Sequence, residues 1–429
     1  MNSLNKHLNY LNPSITISLF RLCFSIVLLI QSVHFISGEF INENIIKPLI
    51  LFPFSNMITP ASETTLIALG YLLLISNIGM LFNKTARFCT IVFFFCFTYF
   101  WLLDKGYFNN HYYFISLICF LIILVEKKSS FKKNILTPNI SIIALQLMVF
   151  IIYFVSGLNK LNPYWLFDLQ PIKHILEAKY TVTDVNLFIN PIVIFLMTYF
   201  GLIFDLFIGF LLFIKKTRVF AFVIVILFNI INFYIFRDIG EIGVFPFIMI
   251  STIILFFDPV KTKKLLIPKS KKQTENIKHS SLLTKLLIVF IFLQCLLPFR
   301  HYLFSGYVDY NGVGQRFSWR MKLMYKEVNL QYYITDLRTN QRFETNVANM
   351  LTNKQFNNLK YFPDLVVPLA KKIKEISRKE KGIMYPKITC DYNIQFMNHS
   401  TQKLFNPNID LSAISNKKLT NTWIKPLKK

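Results

Sequence analysis

Lys160 sits within one turn of the end of an apolar run, Ile140–Leu158, in the stretch Ile151–Trp165, IIYFVSGLNKLNPYW. That run is long enough to cross a bilayer. An ammonium is costly to hold in low dielectric, so a lysine placed there either reaches back to water or gives up its proton. An unprotonated lysine is a base. The competing reading is an ordinary snorkelling anchor at the lipid interface, and spacing alone favours it.

Other polar residues interrupt apolar runs. Asp205, in FDLFIGFLLF, falls mid-span, so it must face a helical interior or carry a proton. Gly209, one turn on, permits close helix contact. Asn229 and Asn232 lie at helical spacing inside another run. For these three polar side chains, structural hydrogen bonding between helices is the favoured reading.

The elements that position these residues follow from composition. Hydrophobic residues make up 54% of the chain and include 46 Phe, which excludes a soluble globular protein. Apolar runs recur at 15–37, 63–82, 86–103, 110–125, 140–158, 190–214, 218–236, 240–257 and 282–299. They predict a polytopic α-helical membrane bundle of about nine spans embedded in a lipid bilayer. Residues 1–14 are polar and the next run is of full span length, so no cleavable signal peptide is expected.

The net charge of +25 resembles a nucleic-acid signature, but many of the lysines occupy short loops between spans, so no nucleic-acid partner is expected. The connections 83–87, 127–133, 215–218 and 261–278 are basic, whereas those around 39–47, 104–106 and 237–241 are mixed or acidic. The positive-inside rule then places the N-terminus and the basic loops in the cytoplasm, and the tail from His301 outside it. Asp104, Lys105, Asn109, Asn110, His111, Lys160, Arg237, Asp238 and Glu241 all fall at that outer face. They outline an outward-facing polar pocket capped by the tail. The six cysteines show neither disulfide nor metal-ligand spacing, and no metal is expected.

From Trp319 onward the period changes. Val328, Leu330, Tyr332 and Ile334 alternate with polar residues ahead of a turn at 338–341, as in a hairpin. Residues 363–379 read as an amphipathic helix, and Ile388, Cys390, Tyr392, Ile394 and Phe396 as a half-buried strand. Two domains are expected: a membrane domain over 1–300 and a soluble α+β, mainly antiparallel-sheet domain over 301–429.

The motifs FRLCFSIVLLI, LDKGYFNNHYYFISL, YFVSGLNKLNPYW, FDLFIGFLLF, GEIGVFPFIMI with FFDP, LPFRHYLFSGY and QRFSWRM occur in that order. Together they resemble the vitamin K-dependent γ-glutamyl carboxylase family and its bacterial relatives, the HTTM-domain proteins. The resemblance implies an enzyme in which a lysine deprotonates reduced vitamin K (the hydroquinone). Reaction with O2 then gives a stronger base, which takes a γ-proton from glutamate before CO2 adds. Lys160 aligns with the family base, and His111, in NNHYYF, with its assisting histidine. Asn110, Asn159 and Trp165 become candidates for holding the quinol; His301, Arg316 and Trp319 become substrate-side candidates. The implied partners are a quinol and a glutamate-containing peptide or protein, and the expected location is the bacterial inner membrane.

Several departures accompany the resemblance. Asn159 stands where vertebrate enzymes carry a second lysine. No clear glycine follows Trp165, the proline motif reads LPF, and the sequence ends soon after TWIKPL. An epoxidase without carboxylation, or a non-catalytic transporter or scaffold, are the alternatives.

Overall fold

The computed structural model describes residues 2–37, 40–128, 130–131, 133–239, 242–267, 274–277, 280–415 and 423–428. Glu241 and part of the basic connection 261–278 lie outside the described residues.

The N-terminal part is helical. A short helix, α1 (Asn2–Asn9), and strand β1 (Leu11–Pro13) precede α2 (Ile15–Ser37), α3 (Glu63–Met80), α4 (Ala86–Leu102) and α5 (Asn110–Val125). Strand β2 (Asn134–Pro138) leads into α6 (Asn139–Asn159). The short α7 (Pro163–Leu166) and α8 (Ile172–Thr183) follow, then α9 (Pro191–Phe213), α10 (Arg218–Phe236), α11 (Phe245–Ser251) and α12 (Pro259–Leu266). Strand β3 (Thr274–Asn276) precedes α13 (Ser281–Leu296).

Six of these helices are long and apolar enough to cross a membrane, and a seventh is added if the bent pair α11–α12 counts as one span. The span expected over 240–257 is shorter than its apolar run. A 3-10 segment continues α11 to Phe256, and α12 then departs at 97°. The break has a local cause. Pro259 brings no N–H, while the Asp258 carboxylate caps the Val260 and Lys261 amides, so a new helix starts there. Helices α4 and α5, with 17 and 16 residues, are apolar but shorter than a typical span.

At one end of the bundle, β1 pairs antiparallel with β2, and β2 parallel with β3. Nearby, the fully buried Arg21 donates to Glu126 at 2.9 Å and to Asn83 at 2.8 Å, and Ser18 donates to Glu126 at 2.7 Å. These bonds tie α2 to the end of α5 and to the α3–α4 turn. Such a buried pair tolerates loss of neither partner. Lys160 lies at the opposite end, because α6 begins beside this small sheet.

The tail is an α+β unit. Strands β4 (Lys326–Asp336), β5 (Arg342–Thr345), β6 (Pro386–Phe396) and β7 (Gln402–Lys403) form an antiparallel sheet in the order β5-β4-β6-β7. Tyr332 pairs with Cys390, so the alternating faces of β4 and β6 bury Tyr332, Ile334, Ile388, Tyr392 and Ile394 together. After the short α14 (Val308–Asn311), two helices cover that face: α15 (Asn353–Tyr361) and α16 (Val366–Glu380). A capping box between Thr352 and Gln355 starts α15. The segment before β4 turns back into the bundle. Trp319, fully buried, stacks on Tyr113 of α5 at 5.2 Å and belongs to the membrane-helix core.

Candidate functional site

Three elements bring Lys160 to its place. Helix α6 ends at Asn159, and the Lys160 amide still bonds back to Gly157 at 3.0 Å. Asn162 then caps α7 by accepting the Trp165 N–H at 3.1 Å, so the chain turns sharply and sets Trp165 beside the lysine. Helix α9 packs against α6 at unusually close range. A Cβ on Gly157 would lie 2.8 Å from the Leu206 backbone nitrogen, and one on Gly209 would lie 2.5 Å from the Phe150 ring. Glycine at both positions is therefore what allows the contact.

The result is a buried ion pair. Lys160 is 6% exposed and does not snorkel; its ammonium donates to the Asp205 carboxylate and, at 3.2 Å, to the Gly201 carbonyl. The indole of Trp165 lies 5.0 Å from Nζ, a cation–π distance, and is itself fixed by an N–H bond to the Thr198 carbonyl at 3.1 Å. Asp205 also takes a hydrogen bond from Ser156. The reading of Asp205 as mere helix glue is thereby revised: it is the counter-ion of Lys160.

The pair opens on a cavity of about 150 Å³ whose walls are mostly apolar, among them Ile152, Phe200, Phe228 and Met249. The polar groups converging on it include Lys160, Asp205, His111, Tyr153, Asn229 and Lys322. An apolar chamber with a few aimed polar side chains is the usual form of a small-molecule site. Asn229 donates to the Val225 carbonyl at 2.9 Å and approaches the Tyr153 hydroxyl at 3.5 Å.

His111 stands in the first turn of α5, whose start is set by Asn109 accepting the Tyr112 N–H at 2.7 Å. Its ring lies flat on Phe245, with centroids 4.0 Å apart and planes 7° from parallel. Neither ring nitrogen is hydrogen-bonded to another group among the described residues. On the far side of the stack is a cleft of about 1310 Å³ between the bundle and α15. His111, Phe245 and Ile242 line both spaces, so the histidine stands at their shared wall. The cleft is polar: Asn109, Asn353, Asn357 and Asn358 line it, and so do Lys354 and Arg237.

The other residues singled out in the sequence are arranged differently. Asn159 donates to the Ser318 carbonyl at 2.9 Å and accepts from Arg320 at 2.8 Å; Asn110 donates to the Arg320 carbonyl at 3.3 Å. Both hold the incoming tail segment and neither lines the cavity. His301 bonds the Pro298 carbonyl at 2.9 Å through Nδ1, and Arg316 pairs with Asp364 in a separate pocket with Lys105 and Arg300. Trp319 is core. Asp104 is fully buried, accepting from Gln355 of α15 at 2.6 Å and from the Gly106 amide at 2.5 Å. Burial pushes its carboxyl up to about 6. Arg237 and Asp238 do reach the cleft, and Asp238 pairs with the buried Lys179 of α8.

Sequence reasoning missed Lys322 and Phe245 as wall residues. Lys322 has φ of +51° and lies 5.1 Å from the Phe236 ring.

The profile of the HTTM domain matches residues 11–260, more than half of the chain, and that of the vitamin K-dependent gamma-carboxylase lumenal domain matches residues 279–429. The chain belongs to the vitamin K-dependent γ-carboxylase family. It is a carboxylase-like integral-membrane protein. The HTTM match spans His111, Lys160 and Asp205, whereas Lys322 and all of α15 fall within the lumenal match. The cleft beside His111 is thus formed by both matched regions. No solved structure matches the chain.

Proposed function

We propose that this γ-carboxylase family member oxidises a quinol of the reduced vitamin K type with O2 to its epoxide in the apolar cavity, and uses that reaction to carboxylate a glutamate presented through the polar cleft. The observation that carries the reading is the placement of Lys160 and His111 on one water-poor cavity. A base buried among apolar walls suits a lipophilic quinol, and exclusion of water protects strongly basic species from being quenched. The bound quinol supplies the reducing power. Lys160 moves its proton, His111 faces both reactants, and Trp165 holds the ammonium in place. Lys354 and Arg237 give the cleft cations for an acidic peptide.

Epoxidation without carboxylation is the second reading. It is favoured by Asn159, which stands where vertebrate enzymes carry a lysine and is occupied in holding the tail at Ser318 and Arg320. One assay separates the readings. Purified protein is given vitamin K hydroquinone, labelled bicarbonate and a glutamate-containing peptide, and epoxide and fixed label are followed independently. Epoxide formation is expected, with weak labelling of vertebrate-type peptides because of the departures at Asn159 and after Trp165. Epoxide without label supports the second reading. Absence of both supports a transporter or scaffold.

The fold is proposed to cross the membrane nine times, with α4, α5 and the α11–α12 pair completing the six long helices. The N-terminus is cytoplasmic and the tail periplasmic or lumenal, with 1–300 the membrane domain and 301–429 the soluble one. A topology reporter fused after Lys429 is expected to read as extracytoplasmic, and one inserted in 261–278 as cytoplasmic. The same side for both would overturn the arrangement.

A further inference from the structure

A lysine that is to act as a base must have a free lone pair, and Lys160 does not sit alone. Its nitrogen is a donor to Asp205 and to the Gly201 carbonyl, and an ammonium has three donors, so one N–H is left to face the cavity. Removing the proton from Lys160 while Asp205 stays ionised would strand a carboxylate in an apolar wall where it is 4% exposed. An unpaired buried charge is the costliest arrangement of the two groups. The neutral amine is affordable only when the proton lies on the carboxylate.

We propose that Asp205 is the final acceptor of the quinol proton and that Lys160 relays it. This inference rests on the quinol chemistry proposed above. In the step, the quinol O–H bond breaks and a new N–H forms on Lys160; the N–H already aimed at Asp205 breaks and an O–H forms on its Oδ2. No electron is transferred. The pair passes from zero to one positive charge as the quinol gains one negative charge, so the net charge of the chamber does not change. The ammonium remains facing the quinolate, and Ser156 stays within hydrogen-bonding reach of the new carboxyl group. The other titratable groups on the chamber are His111 from α5, Tyr153 from α6 and Lys322 from the returning segment; α8 and α10 contribute none. Asp205 is thus the only carboxylate lining the chamber among the described residues.

The test uses Asp205→Asn in the full-length protein. Asparagine keeps an oxygen that can accept from Lys160 but cannot take a proton. Its expected turnover is lower by about a hundredfold to ten-thousandfold, the usual loss of a positioned acid–base group, with quinol affinity little changed by quenching of Trp165 fluorescence. Its rate is expected to climb with pH as solvent ionises the quinol instead, whereas the wild-type rate gains much less. Infrared difference spectra of the wild type on quinol binding are expected to show a new carboxylic-acid band, absent from Asp205→Asn. Wild-type turnover by Asp205→Asn would overturn the relay alone, and so would a loss that is the same at every pH and accompanied by lost binding. No epoxide from the wild type would overturn the proposed function and the relay with it. Should Asp205→Asn fail to fold, the wild-type infrared spectrum decides, and binding without the carboxylic-acid band overturns the relay.

Discussion

Lys160→Ala is expected to reduce epoxide formation to background while the protein remains folded. The residue is the C-cap of α6, and its amine is fixed from three sides by Asp205, the Gly201 carbonyl and the Trp165 ring. Neither α6 nor α9 carries another lysine, and the Ser156 hydroxyl that also bonds Asp205 is far too weak an acid to replace the ammonium. Truncation leaves that carboxylate without its partner, and breaking a buried pair costs roughly 3–5 kcal/mol of stability. Melting temperature and gel-filtration behaviour must therefore be read beside activity. Lys160→Arg is the sharper variant. It restores the positive charge and the ion pair, but a guanidinium keeps its protons, so turnover is expected to stay at background even as stability returns. Stability and activity then part company, which packing loss alone would not produce. Full epoxidation by Lys160→Ala would return the residue to the interfacial-anchor reading.

Much of the helical scaffold was legible locally. The runs over 110–125 and 218–236 match α5 and α10 residue for residue, because apolar stretches in a membrane chain end where polar caps begin. The hairpin and the long strand of the tail were equally plain, since period-two burial is a local pattern. What remained hidden was pairing over distance. The small β1-β2-β3 sheet joins three- to five-residue strands separated by more than a hundred positions, and no periodicity reports that. Asp205 was visible as a costly residue, yet the cost of one buried charge does not name its partner. Lys160, a charge at the end of a neighbouring run, was an available signal, but Arg21 and Lys285 also lie within apolar runs and nothing local chooses among them. The return of Phe317–Lys322 into the bundle left no periodic trace either: Trp319 packs with the membrane helices and Lys322 reaches the chamber.

His111→Ala is expected to slow product formation by about a hundredfold to ten-thousandfold, the typical cost of losing a positioned acid–base group, with expression near that of wild type. The residue also packs against Phe245, so truncation alone would mix two effects: a missing imidazole and a hole in the wall between chamber and cleft. His111→Phe separates them. An aromatic ring there keeps the flat contact with Phe245 and closes the wall, but offers no nitrogen to either reactant. If the imidazole acts in the chemistry, both variants are slow. If it only seals the chamber, His111→Phe turns over normally while His111→Ala leaks water and loses activity. Measuring epoxide and fixed CO2 together adds a second reading of the same wall. A sealing role predicts that His111→Ala loses carboxylation more than epoxidation, because water quenches a carbanion before CO2 adds. Equal loss of both in His111→Phe places the histidine at the proton-transfer step they share, and near-normal turnover in both variants returns it to an ordinary residue at the mouth of α5.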